Sequence, residues 1–92
     1  MFTKLGNQWV RHTDFEVSVI DKDFMLYREG NHSVKIYKEA AFEPYRLSIS
    51  LSEIKFWDEP YSSVAITDNE KEQMRINIEA AWAFLDTPTE FV

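Results

Sequence analysis

The chain predicts an α+β domain: an antiparallel sheet of four to six strands with one long C-terminal helix packed on one face. Three observations carry this expectation. Between residues 8 and 52, apolar and polar residues alternate in short runs with the period of strands. From Thr67 onward the period lengthens to that of a helix, behind a capping sequence. Glycine stands only at positions 6 and 30 and proline only at 44, 60 and 88, so no linker divides residues 1–92, which read as a single domain.

Gln8 to Arg11 reads as a short first strand. Phe15, Val17 and Val19 then alternate with Glu16, Ser18 and Ile20, a strand with one apolar face. Asp21-Lys22-Asp23 supplies turn chemistry, and Phe24 to Tyr27, apolar on both faces, suits a strand covered on both sides. Glu29-Gly30-Asn31-His32 is a hairpin signal, because Gly and Asn tolerate positive φ. Ser33 to Lys38 answers it, with Val34 and Ile36 on one face and Lys35 and Tyr37 on the other. Glu39 to Tyr45 reads as a loop or a single helical turn.

Arg46 to Ser52 has the clearest alternation, Leu47, Ile49 and Leu51 against Ser48, Ser50 and Ser52, as in a strand with one wet side. Ile54 and Phe56 begin another strand that Pro60 ends, since proline offers no ladder donor. Thr67-Asp68-Asn69-Glu70 fits a capping box for a helix over 68–86. Met74, Ile78, Ala81, Trp82 and Leu85 form its apolar stripe, which a sheet face must cover. Arg75 and Glu79 can pair on the exposed side, and the helix frays out before Pro88.

Seven Phe, four Tyr and three Trp let a short chain build a core from few side chains. The absence of cysteine excludes disulfides and thiolate metal sites. No secretory leader pattern opens the chain, and Ala80 to Leu85, the longest apolar run, is far too short to span a bilayer. The chain is expected to be soluble and cytoplasmic, with no membrane partner. The net charge of −6 is unevenly placed. Seven acidic and seven basic side chains cancel in residues 1–46, whereas nine acidic and three basic in residues 47–92 account for the whole imbalance. Such a field repels phosphates and draws cationic partners, so nucleic acid is not an expected ligand.

The search for chemistry comes back nearly empty. His12 and Asp14 share a strand face, but no nucleophile stands beside them. Asp21-Lys22-Asp23 fails as a calcium loop, because Met25 occupies the third ligand position and Leu26 the place of the turn glycine. No histidine lies on the helix for zinc or di-iron, and neither glycine has a neighbour to build a phosphate loop. No catalytic residue, cofactor or metal is therefore expected.

One constellation remains: Phe56-Trp57-Asp58-Glu59-Pro60-Tyr61, flanked by Glu53 and by the acidic start of the helix. In a strand Phe56 and Trp57 point to opposite faces, so one of them turns away from the core. Trp and Tyr bury much area with little rotamer entropy to lose, which makes them interface anchors. Trp57, Asp58, Glu59, Tyr61, Glu70 and Glu72 are the candidate partner-binding residues, rings to hold a partner and carboxylates to steer a cationic one.

The spacing Ile54-x-x-Trp57-x-x-Pro60, a short loop, then Ile66-Thr67-x-x-Glu70 and an amphipathic helix resembles a family of small α+β immunity proteins. These belong to bacterial polymorphic and contact-dependent toxin systems. The likeness covers roughly residues 47–86, with Trp57 and Pro60 matching by position. It implies a cysteine-poor cytoplasmic domain that binds and blocks a cognate toxin domain. If that toxin is a nuclease with a basic cleft, an acidic inhibitor is what competition for the cleft requires. Two other readings compete. One is a small-molecule or peptide-binding module with an aromatic pocket between sheet and helix. The other is a homo-oligomeric accessory domain, such as a homodimer that buries the exposed rings against a second copy.

Overall fold

A computed structural model describes residues 1–92. Seven strands and one long helix follow in the order β1 (Thr3–Gly6), β2 (Trp9–Arg11), β3 (Glu16–Val19), β4 (Phe24–Glu29), β5 (His32–Ala40), β6 (Leu47–Ile49), α1 (Asp68–Phe84) and β7 (Thr89–Phe91). The strands form one curled sheet in sequence order, each antiparallel to the next except β6 and β7, which run parallel. The expected class holds, but the sheet has seven strands rather than four to six and is mixed.

The two strands not expected from the sequence are the sheet edges, β1 and β7. β7 begins directly after Pro88, where the helical pattern ends and no alternation is long enough to read. Its parallel pairing requires a crossover of a dozen residues or more, and the segment from Ser50 through α1 supplies one. The Pro88 carbonyl accepts from the Arg46 amide at 2.8 Å, and the Val92 amide donates to the Ile49 carbonyl at 2.9 Å.

The helix is capped as its sequence requires. The Thr67 hydroxyl accepts from the Glu70 amide at 3.1 Å, while the Glu70 carboxylate accepts from the Thr67 amide at 2.9 Å. At the other end the Thr87 amide reaches the Trp82 carbonyl and the Asp86 amide reaches that of Ala83. This is a Schellman cap, with Asp86 at φ 55° where glycine is the usual residue. Met74, Ile78, Ala81 and Trp82 are buried to 1% exposure or less. They lie against Val10, Val17, Met25, Tyr27, Ile36 and Ile49 of the sheet, which are fully buried. Each large side chain removed from water here contributes on the order of 2 kcal/mol.

Alternation misleads at two strands. Ser48 in β6 and Ser50 just beyond it are buried, and of the three serines only Ser52 is exposed. β6 is flanked on both sides, and its cross-strand row runs Glu39, Ser48, Glu90, a short side chain sunk between two long ones. Conversely, β4 is not covered on both faces. Met25 and Tyr27 point into the core, whereas Phe24 is exposed and Leu26 only half-buried. The expected strand at Ile54–Phe56 reduces to a single bridge, Phe56 with Ala65.

Candidate partner-binding site

The segment from Ile54 to Thr67 folds back as a loop between β6 and α1. Its neck is closed by the Phe56–Ala65 bridge and by the Trp57 amide donating to the Val64 carbonyl at 3.2 Å. Turns follow at Asp58–Tyr61 and Tyr61–Val64, with amide to carbonyl distances of 2.9 Å in both. Asp58 ties this loop to the half of β5 that β6 leaves unpaired. Its amide donates to the Ser33 carbonyl at 2.8 Å and its carboxylate accepts the Lys35 amide at 3.0 Å. A short aspartate thus satisfies a strand edge that would otherwise stand open.

That anchorage decides which ring faces inward. Trp57 is 4% exposed and belongs to the core, while Phe56 is 51% exposed. Tyr61, half-buried, stacks on His32 with centroids 4.0 Å apart, and His32 meets the Trp57 ring edge-on at 5.1 Å. The rings form a fixed cluster over the β4–β5 turn, where Gly30 at φ 60° makes the reversal.

Beside this cluster the first turns of α1 leave a cleft of about 210 Å³, lined by Glu29, Trp57, Asn69, Glu70, Gln73 and Met74. Glu29 is held by the Tyr27 hydroxyl, which donates to it at 2.6 Å and accepts from the Asn77 side chain at 2.9 Å. Burial first, and the neighbouring Glu29 second, raise the Tyr27 phenol well above its ordinary range, so it stays a donor. Each carboxylate here has one oxygen committed, Glu29 to Tyr27 and Glu70 to the cap. The cleft is thus an electronegative notch with an indole and a thioether in its wall, the surroundings that a cationic side chain favours.

Of the six residues expected to bind a partner, Trp57 and Glu70 share this cleft. Asp58 is engaged with β5, Tyr61 with His32, and Glu59 with the Ser62 hydroxyl at 3.0 Å. Glu72 lies two residues past Glu70, about half a turn round the helix and away from the cleft, where its hydrogen bond from Arg75 at 2.6 Å holds the carboxyl below its usual range. Glu29, His32, Asn69 and Gln73 were not among the expected residues. Glu29 and His32 read as turn residues, and only the long-range docking of the Trp57 loop makes them neighbours of the helix start.

Elsewhere, the His12 ring stacks on Phe15 at 5.1 Å, and its Nε2 lies 3.2 Å from the terminal amine. No group of three or more His, Asp or Glu side chains is arranged to hold a metal ion. No helix is long and apolar enough to cross a membrane.

A family model described as Immunity protein 74 matches residues 17–92, from β3 to the last residue, and so contains the whole cleft. The chain belongs to the Immunity protein 74 family. Membership points to a toxin-neutralising role and to a protein partner. Comparison with curated proteins gives no match, and neither does comparison with solved structures.

Proposed function

We propose that this chain is a non-enzymatic inhibitor of the bacterial cytoplasm that binds a cognate toxin domain through the acidic surface around the Trp57 loop. Asp58, Glu59, Glu70 and Glu72 supply the field, Tyr61 and Phe56 supply contact area, and Trp57 holds the loop from beneath. Family membership supports the toxin as partner. The observation that carries the placement is the cleft between Trp57 and the helix start, with Glu29 and Glu70 in its wall. A lysine or arginine of the toxin would enter it, steered by the surrounding carboxylates. A nuclease toxin would carry such side chains in its substrate cleft, because it must bind phosphates.

The decisive experiment is co-expression with the C-terminal toxin domain encoded immediately upstream, scored by co-purification and by rescue of growth. A complex with rescue supports the role; the loss of either one sinks it. Given a complex, Glu29→Gln with Glu70→Gln tests the placement. We expect association to slow by roughly tenfold and to lose part of its salt dependence. An unchanged rate and salt slope would move the interface elsewhere on the molecule.

A further inference from the structure

A cavity of about 200 Å³ opens at the far end of α1, lined by Gln8, Arg46, Leu47, Trp82, Leu85 and Thr87. Three separate parts of the chain build it. Gln8 comes from the β1–β2 turn, Arg46 and Leu47 from the start of β6, and the other three from the helix end. The curl of the sheet brings its first strands to that end, where Phe2 stacks on Phe84 with centroids 5.4 Å apart. Exposure falls from mouth to floor. Gln8 and Arg46 are exposed, Leu47, Leu85 and Thr87 are half-buried, and Trp82 is 1% exposed.

The donors of this cavity are unspent. The indole N–H of Trp82 is buried and has no acceptor within the protein. Such groups are rare in native proteins, because they forgo the hydrogen bond that water supplies to the unfolded chain. Trp82 borders none of the other cavities, so this is where an acceptor can reach it. The Arg46 guanidinium makes no ion pair, and no carboxylate lines the wall. Leu47, Leu85 and the Trp82 ring supply the apolar remainder.

We infer that this cavity binds a small neutral amide with a short branched apolar stem, whose carbonyl oxygen accepts from the Trp82 indole. Size sets the first limit. At about 30 Å³ for each water, the cavity has room for roughly seven waters, hence for a molecule of about as many heavy atoms. Charge sets the second. An anion would find Arg46, but it would also meet the negative end of the α1 macrodipole. Glu43 and Asp86 stand with Arg46 around the neighbouring cavity and oppose an anion as well. A cation would face Arg46 and brings no acceptor for the indole. An amide avoids both conflicts, and the exposed Gln8 amide can exchange one donor and one acceptor with it at the mouth. Entry asks one movement of the protein. The N–H is closed to free solvent, so Leu85, half-buried at the helix C-cap, must give way as the ligand seats.

The test is a titration of the isotope-labelled full chain with three probes of one stem: isovaleramide, isovalerate and isopentylamine. The chain has three tryptophans, so three indole resonances report separately. Isovaleramide should move the Trp82 indole proton downfield, shift the Leu47, Leu85 and Thr87 amides, and leave Trp9 and Trp57 in place. So small a ligand should bind with a Kd in the roughly millimolar range. Isovalerate and isopentylamine should each bind about tenfold more weakly. Trp82→Phe keeps most of the ring and removes the donor, and it should weaken isovaleramide about tenfold. Should that variant unfold, the comparison of probes on the unsubstituted chain decides alone. No movement of the Trp82 indole with any probe would leave bound water as its acceptor and overturn the inference. Equal binding of isopentylamine would overturn it too, and tighter binding of isovalerate would overturn the neutral class. Failure of toxin co-purification would leave it untouched, because this cavity shares no residue with the Trp57 cleft and lies about 18 Å along the helix from Glu70.

Discussion

The β4–β5 hairpin presents opposite chemistry to its two sides. Inward, Tyr27, Val34 and Ile36 enter the core, and Glu29 emerges beside Trp57 and the helix start. Outward, Leu26, Arg28, Lys35 and Tyr37 face solvent. Adjacent residues Arg28 and Glu29 thus project to opposite sides of the sheet, because successive side chains alternate across a strand. A net charge of −6 describes neither surface. The pleat sorts charge by residue parity, so the field a partner meets depends on the side from which it approaches.

The two sides also differ in how they are held. The cleft depends on a loop that carries one strand-free tryptophan into the core, whereas the outer face rests on four paired strands. Trp57→Ala should therefore have the largest effect of any single substitution proposed for either side, about 3–5 kcal/mol of stability in urea unfolding, as for other buried aromatic truncations. A loss under about 1 kcal/mol would mean that the loop is held mainly by its polar anchors. Asp58→Ala tests those anchors directly. It removes the acceptor of the Lys35 amide and should cost about 1–2 kcal/mol, with the added exchange of that amide measured by hydrogen exchange.

A finer comparison separates structure from recognition at Glu70. Thr67→Ala should cost about 1 kcal/mol, because it deletes the acceptor of the Glu70 amide. Glu70→Gln keeps an acceptor for the Thr67 amide, so thermal unfolding should move little while toxin association slows. Equal damage from both substitutions would make Glu70 a cap and nothing more. At the distal end of the helix the sign reverses. Asp86→Gly should add about 0.5–1 kcal/mol by relieving a left-handed backbone that suits glycine.

The smallest effect belongs to the outer face and to pH. Burial alone would raise the Glu16 carboxyl. The hydrogen bonds from Trp9 and Arg11 and the charges of Arg11 and Arg28 together outweigh it and hold the carboxyl below its ordinary value of 4.5. A carboxyl lowered in the folded state contributes stability that is present above 4.5 and is lost as pH falls through the folded value. Trp9 fluorescence should therefore change in that acid range, and Glu16→Gln should remove the transition. A transition that survives the substitution would assign it to another carboxylate.

Local chemistry is legible wherever the signal and its partner lie close in sequence. Thr67 and Glu70 sit three residues apart, and the apolar stripe of α1 repeats over about three turns, so cap, length and buried face can all be read. The alternation at Val17 and at Val34 and Ile36 likewise marks core faces without any knowledge of the fold. The candidate site is only half legible. Trp57 and Glu70 stand out through their residue types, but Glu29 joins them across more than twenty residues of chain, and no local pattern carries that information.

What the sequence determined by itself was the class, the capped helix, the turn at Gly30 and the acidic bias of the second half, since each depends on near neighbours. Tertiary structure alone decided that β7 returns parallel to β6, that Trp57 rather than Phe56 turns inward, and that Ser48 and Ser50 are covered. Those outcomes depend on which strand edge remains open and which neighbour stands taller. Such questions are answered by packing between distant segments, because burial is a property of the assembled surface and not of the residue.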